Sequence, residues 1–296
     1  MRIGKEHVQH YQAHGFTIIK NFLAKDELSK AQAEIDEYLP GWLDYAQNPS
    51  RRKPNGWNSP KQSRRNMRFP FHGSALNSIT LHPELRRFAS LMTGGEEIIC
   101  EQSDLTYKCK GHAADEEQDM HLDFPNHTLA YAPDNPKYWQ TAYLVYYTDV
   151  GINQAPTAIC SWQNYKNQIL WPSSHSRLSR PNLYEKEIKV IVPAGSILIY
   201  SMRTFHRGTS FLKDGARIGQ FISYAPKEPT WLGIVGWPEQ GEYESFTPWM
   251  EQATPQEREL IGFPKPDDDY WCKETLAGVS ARYPNMEMDV YKKSLP

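Results

Sequence analysis

The stretch Glu187–Tyr200, EIKVIVPAGSILIY, decides the fold. It is rich in β-branched residues and is interrupted by Pro193 and Gly195, so it reads as extended chain that ends in a strand from Ser196 to Tyr200. Four further segments share this character: EEIICEQSDLTYKC from Glu96, QTAYLVYYTDV from Gln140, TAICSWQN from Thr157 and ARIGQFISYA from Ala216. Each is bounded by Pro, Gly or Asn. No helix-length amphipathic segments separate them regularly, which argues against a parallel βαβ sheet. The expectation is a mainly β protein with flanking helices and a double-sheet or jelly-roll core.

Outward from this core, residues 1–95 read as a helical front end and a loop. KEHVQHYQAHGFTIIKNFLAKDELSKAQAEIDEYL predicts a short helix, a strand ending at Phe22, and a second helix with Leu28, Ala31, Ile35 and Leu39 on one face. The basic stretch from Asn48 to Met67, with its Pro, Gly, Asn and Ser, predicts a long loop, and such loops serve as lids or are plainly mobile. HPELRRFASLMTG predicts a helix stopped by Gly94 and Gly95. Residues 96–226 carry the strands, and 227–296 form an aromatic-rich covering segment with a helix starting near Thr254, expected over the sandwich or its mouth. A single domain spanning 1–296 accounts for this order, since β-rich domains often reach roughly 200 to 250 residues.

The chain of 296 residues has 33 basic and 35 acidic side chains, and a formal charge of −2. This balance calls for neither nucleic acid nor an anionic membrane, and leaves a small molecule as the expected partner. No run approaches the roughly 18 apolar residues of a spanning helix. Cys100, Cys109, Cys160 and Cys272 are widely spaced, which suits buried reduced thiols and a cytoplasmic location.

In QDMHLDFPNH, Gln118–His127, residues i and i+2 of a strand project to the same face, so His121 and Asp123 present an imidazole and a carboxylate side by side. A third ligand is His206 in SILIYSMRTFHRGTS, to which the strand Ser196–Tyr200 delivers the chain. Two histidines and one carboxylate on one face of a metal leave adjacent positions open, an arrangement suited to non-haem Fe(II) oxygenases; the open positions take a bidentate co-substrate and dioxygen. Arg217 opens a strand expected to run beside the one before His206, where its guanidinium clamps a dicarboxylate.

The motifs YQAHGFTIIKNFLAKDEL, HLD and VPAGSILIYSMRTFHRGTS, with the spacing from His206 to Arg217, resemble the phytanoyl-CoA dioxygenase family of Fe(II)/2-oxoglutarate-dependent oxygenases over nearly the whole chain. The resemblance implies a double-stranded β-helix (jelly-roll, cupin-like) core, iron on His121, Asp123 and His206, 2-oxoglutarate on Arg217, dioxygen as oxidant, and hydroxylation of a small metabolite with release of succinate and CO2. Two departures stand out. CSWQNY, Cys160–Tyr165, replaces the Pro-Gly-Ser-His segment of many relatives, and Leu144 stands near the family's central-strand Trp. Tyr107 and Tyr146 are therefore candidates for the wall against the co-substrate. Phe124, Asn126, Trp162, Arg203, Arg64 and Arg68 are candidates for holding substrate, with a polar or anionic group meeting an arginine. For Asn126 and His127, contact with substrate and an Asx or loop role both stand open, and for the basic loop the alternative is simple solvation. His112 and His175 read as exposed loop residues. A cupin-like metal enzyme of non-redox type, or a non-catalytic metal- or ligand-binding protein, is the rival reading; the first has no use for a dicarboxylate clamp at Arg217.

Overall fold

The computed structural model describes residues 3–54, 67–111, 115–124, 127, 134–165, 168–228, 236–237, 244–268 and 270–292. Arg64, Asn126, His112 and most of the loop from Asn48 to Met67 lie outside them.

Two antiparallel five-stranded sheets form the core. The larger has the order β1-β8-β4-β10-β2, with β1 Phe16–Ile19, β2 Ile98–Cys109, β4 Thr141–Tyr146, β8 Ile197–Ser201 and β10 Ala216–Pro226. The smaller has the order β6-β3-β9-β5-β7, with β3 Met120–His121, β5 Ala158–Ile159, β6 Ser174–His175, β7 Ile188–Lys189 and β9 His206–Arg207. The jelly-roll expectation holds, with one correction: β10 does not run beside β8, because β4 lies between them and pairs with both.

Strand alternation divides the large sheet into two faces. Tyr143, Val145, Ile197, Ile199, Ile218 and Ile222 face outward into a core shared with the helices. Ala142, Tyr146, Leu198 and Tyr200 face inward, against Met120, Ile159 and Phe205 of the small-sheet region. The outer face is covered by α1 Lys5–His14, α2 Lys25–Tyr38 and α5 Pro83–Met92, as their spacing predicts. In α5, Leu85, Phe88, Ala89 and Met92 fall on one stripe and are all buried. Burying such side chains contributes about 2 kcal/mol apiece. The helix stops where expected, since Gly94 and Gly95 have φ of 81° and 91°.

The C-terminal segment packs on this outer face, not over the opposite one. The Trp237 indole N–H donates to the Cys100 carbonyl, and Trp249 meets Phe69 edge-on. Thr254 caps the expected helix, here Pro255–Glu259, but Phe246–Gln252 and Lys273–Arg282 are helices that the sequence reading did not anticipate. Cys272 is exposed, against expectation, because it occupies the N-cap of the last of these. Among the described residues no helix is long and apolar enough to cross a membrane.

Candidate functional site

Chain reversal after β8 brings β9 back antiparallel to β3, and the register sets His121 directly opposite His206. The reversal is anchored from outside. α1 ends at Gly15 (φ 79°), whose carbonyl accepts from the Thr204 hydroxyl at 2.7 Å and the Ser201 amide at 2.9 Å. A Cβ on Gly15 would lie 2.6 Å from the Thr204 hydroxyl and 2.7 Å from the Trp162 ring, so only glycine brings the helix end this close.

Each imidazole is oriented by a backbone carbonyl. His121 Nδ1–H donates to the Asp119 carbonyl at 2.8 Å and His206 Nδ1–H to the Thr204 carbonyl at 3.0 Å. This tautomer frees both Nε2 lone pairs, which turn toward Asp123 at 3.7 and 3.3 Å. One ligand atom from each of the three residues lies within 4.8 Å of the others. Two imidazole nitrogens and one carboxylate oxygen, converging with the other ring nitrogens already bonded, fit a divalent transition metal.

The electrostatics agree with that fit. Burial acts to raise the Asp123 carboxyl, but His206, His121 and the Tyr200 hydroxyl outweigh it and hold the group well below the usual carboxylate range. Burial, then repulsion from His206, lowers His121. The Tyr200 hydroxyl donates to Asp123 Oδ2 at 2.9 Å and stands 3.5 Å from His206 Nε2. Sequence reading missed Tyr200; its place on the inward-facing register of β8, together with Leu198, is the signal that would have found it.

Arg217 lies on the inner face of β10. Its guanidinium donates to the Ala155 carbonyl and, at 3.4 Å, meets the Thr157 hydroxyl, which also accepts from Tyr146 at 3.1 Å. Two residues beyond Thr157, Ile159 pairs with His206, so one short strand links the arginine to the histidine. Burial lowers the Arg217 pKa, and among the described residues only Tyr146 acts to raise it. Its cross-strand partner is Lys108, which burial and then Arg217 push down to about 8. A partly buried guanidinium without a carboxylate partner among the described residues fits a ligand carboxylate.

Of the two wall candidates, Tyr146 lies beside Arg217. Tyr107 does not: it pairs with Ile218 on the outer face and packs its ring against Trp42, because the odd-numbered positions of β2 beyond its bulge, from Ser103 to Cys109, turn away from the interior. Leu144 faces inward opposite Phe221 and supplies apolar wall where a Trp was expected from the resemblance.

The substrate candidates separate further. Phe124 and Arg203 are buried, and Phe124 belongs to the inner core. Trp162 anchors α1: its indole N–H donates to the Ala13 carbonyl at 2.9 Å, and Gln163 joins it there at 2.6 Å. The departure CSWQNY is thus a docking surface for the front helix. Arg68 is not an open cation, since its Nε–H donates to Asp104 at 2.7 Å and the two charges offset each other. Missed altogether in the sequence was Glu101, a bulged residue of β2 that is buried on the same inner side against Gln140.

No protein-family model matches the sequence, and no curated protein matches it. Solved structures do match in fold. The non-heme alpha ketoglutarate dependent carbocyclase SnoK from nogalamycin biosynthesis aligns with a TM-score of 0.58 and 16% identity, over 82% of this chain and 92% of that one. HygX from Streptomyces hygroscopicus, solved with nickel and 2-oxoglutarate bound, aligns at 0.54 and 13%, over 77% and 89%. The epimerase SnoN, in complex with Fe3+, alpha ketoglutarate and nogalamycin RO, aligns at 0.54 and 14%, over 81% and 90%. At these identities the likeness establishes the fold.

Proposed function

We propose that this chain is an Fe(II)- and 2-oxoglutarate-dependent oxygenase of the phytanoyl-CoA dioxygenase type that hydroxylates a small molecule, with release of succinate and CO2. The observation that carries the reading is a pairing. Two carbonyl-oriented imidazoles and an ionised carboxylate converge within 4.8 Å on one side, and the partly buried Arg217 guanidinium, with no carboxylate partner among the described residues, stands one short strand away. The solved structures similar in fold belong to non-heme alpha ketoglutarate dependent enzymes, which supports the same reading.

His121, Asp123 and His206 would hold the iron, and Arg217 the far carboxylate of 2-oxoglutarate. When bound, iron and 2-oxoglutarate with dioxygen supply the oxidising power for a substrate C–H bond. The chain's own residues do the rest. The Asp119 and Thr204 carbonyls keep both imidazoles in the ligating tautomer. Tyr200 holds Asp123 in place. Tyr146 and Thr157 fix the Arg217 head, while Leu144 and Phe221 line the interior with apolar surface that excludes water.

Succinate release tests this, with Fe(II), 2-oxoglutarate and a metabolite panel, alongside anaerobic Fe(II) titration of the wild type and His206→Ala. Succinate formation that depends on both additions, with iron binding lost in the variant, is the expected result. Equal iron affinity in the two proteins would sink the metal assignment.

A further inference from the structure

The inner face of the large sheet has a second polar group at the end away from Arg217. Between Ser223 and Tyr224 the β2–β10 register slips, so that Ser223 faces Gln102 and Tyr224 faces Cys100. Glu101 is the extra residue of this bulge, and bulges re-aim side chains beside functional sites. Its side chain is fully shielded from solvent and reaches Gln140, whose amide N–H donates to Oε1 at 2.6 Å. The same amide reaches the His127 carbonyl at 3.2 Å. His127 follows Asp123 by four residues, and the Asp123 charge acts on its imidazole.

Among the described residues, neither Glu101 Oε2 nor His127 Nδ1 has a well-formed hydrogen bond, although both are buried; the neutral Ser223 hydroxyl beside Glu101 acts on its carboxyl without balancing a charge. Glu101 Oε2 and His127 Nδ1 lie 3.9 Å apart, too far to bond each other. A single polar atom beside their midpoint would be at hydrogen-bonding distance, about 2.8 Å, from both. The charge pattern says what kind of atom. Asp104 is offset by Arg68, Arg207 offsets Glu117 and Glu187, and Asp123 faces the two ligand histidines. Among the described residues Glu101 has no Lys or Arg within 4.0 Å. A buried carboxyl left in this way costs stability unless something pairs with it.

We propose that Glu101, His127 and Gln140 form a substrate subsite that takes a protonated amine, and that the small molecule acted on is therefore an amine-bearing one. The amine nitrogen donates to Glu101 Oε2 and His127 Nδ1, while Gln140 holds the other carboxyl oxygen. The assignment rests on the oxygenase reading above for the fate of the bound molecule, though the subsite exists without it. Burial pushes the empty Glu101 carboxyl up to about 8, so at pH 7 it is mostly protonated. Binding of an ammonium ionises it and releases close to one proton, roughly the difference in occupancy between a group at 8 and one driven well below 7.

The test compares benzylammonium with benzyl alcohol, of similar shape, against the metal-free chain and the Fe(II)/2-oxoglutarate-loaded chain without dioxygen. Calorimetry in buffers of different ionisation heat reads both affinity and proton release. The expected result is tighter binding of the ammonium by about ten-fold or more. It should release about one proton at pH 7, and its affinity should rise from pH 6 to pH 8. Glu101→Gln, which keeps the shape and hydrogen-bonding capacity, should lose the preference and the proton release; His127→Asn should weaken the ammonium alone. Equal binding of the two probes, binding of neither, or a preference that survives Glu101→Gln overturns the proposal, leaving a buried structural cluster only. The two readings fail separately: a chain that binds no Fe(II) or 2-oxoglutarate sinks the oxygenase, while the amine preference of the metal-free chain still decides the subsite.

Discussion

The two sheets divide the labour unequally. In the larger sheet β2 is 12 residues long and β10 is 11, and they align along nearly their whole length. In the smaller sheet every strand is two residues long, yet it carries His121 and His206. Long strands hold their register through many side-chain alternations, since a one-residue slip would turn the whole apolar set outward. Two-residue strands have no such memory. They are positioned by what they pack against: the Gly15 carbonyl, Tyr200, and the inner face of the larger sheet. One sheet therefore supplies stability, and the other presents chemistry where water and ligand can reach it.

The widest separation should appear between Tyr143 and His121. Tyr143 is fully buried in the larger sheet and donates to the Leu85 carbonyl at 2.9 Å. Tyr143→Ala should lower the unfolding free energy by about 3–5 kcal/mol, as for other large aromatic truncations. His121→Ala, on a two-residue strand and partly exposed, should cost under about 1 kcal/mol while abolishing iron binding. Denaturant midpoints and anaerobic iron titration on both variants check this. Equal destabilisation would break the division between the sheets.

Arg217 is the place where the larger sheet also takes part in chemistry. Arg217→Ala should raise the 2-oxoglutarate concentration needed for half-maximal succinate release by roughly 150-fold or more, since removing one partner of a desolvated charge pair costs about 3–5 kcal/mol. Stability should change little or rise, because the variant removes a partly buried cation whose charge desolvation already disfavours. An unchanged co-substrate requirement would move the clamp elsewhere.

Glu101 sharpens the comparison through pH. Its folded-state pKa, near 8, lies above the ordinary value of 4.5, so in that interval the folded state binds more protons than the unfolded one. Its contribution is fully present below pH 4.5 and fades as pH rises toward 8. The stability of wild type relative to Glu101→Gln should therefore fall between pH 5 and pH 8, by at most about 1.4 kcal/mol per pH unit. A flat difference across that range would mean that the carboxyl titrates as if exposed.

The same contrast explains what was legible beforehand. The long strands, α2, α5 and the glycine stop at Gly94–Gly95 show in the sequence because each repeats its signal over many residues. The convergence of His121, Asp123 and His206 was legible as spacing and residue type, and the structure brings their ligand atoms together. What stayed hidden depends on contacts between distant segments. Tyr107 was misassigned because alternation was not counted from the bulge at Glu101, and Arg68 because its neutraliser, Asp104, is 36 residues away. Trp162 reads in the sequence as a candidate for holding substrate because nothing local shows that the end of α1 docks on it. The order of β10 and β8 could not be read at all, since pairing is a property of the assembled sheet.

Tyr200 sits where the two sheets meet, and it offers the finest test. It belongs to the larger sheet by register, opposite Ala142, but its hydroxyl serves the smaller one by donating to Asp123 Oδ2. Its ring packs 4.6 Å from the His206 ring, so Tyr200→Phe keeps the packing and removes one hydrogen bond. If the larger sheet gives only volume, Tyr200→Phe should bind iron like the wild type. If the hydroxyl orients the ligand carboxylate, iron affinity should fall by about ten-fold, the low end for loss of such an outer partner, with an unfolding midpoint close to wild type. We expect the second outcome: with the hydroxyl gone, Asp123 Oδ2 loses its neutral donor, and among the described residues the carboxylate is left with the histidines it must share with the metal. Anaerobic titration and denaturant unfolding of the same two proteins separate the cases. A drop in stability without a change in affinity would make Tyr200 a core residue like Tyr143.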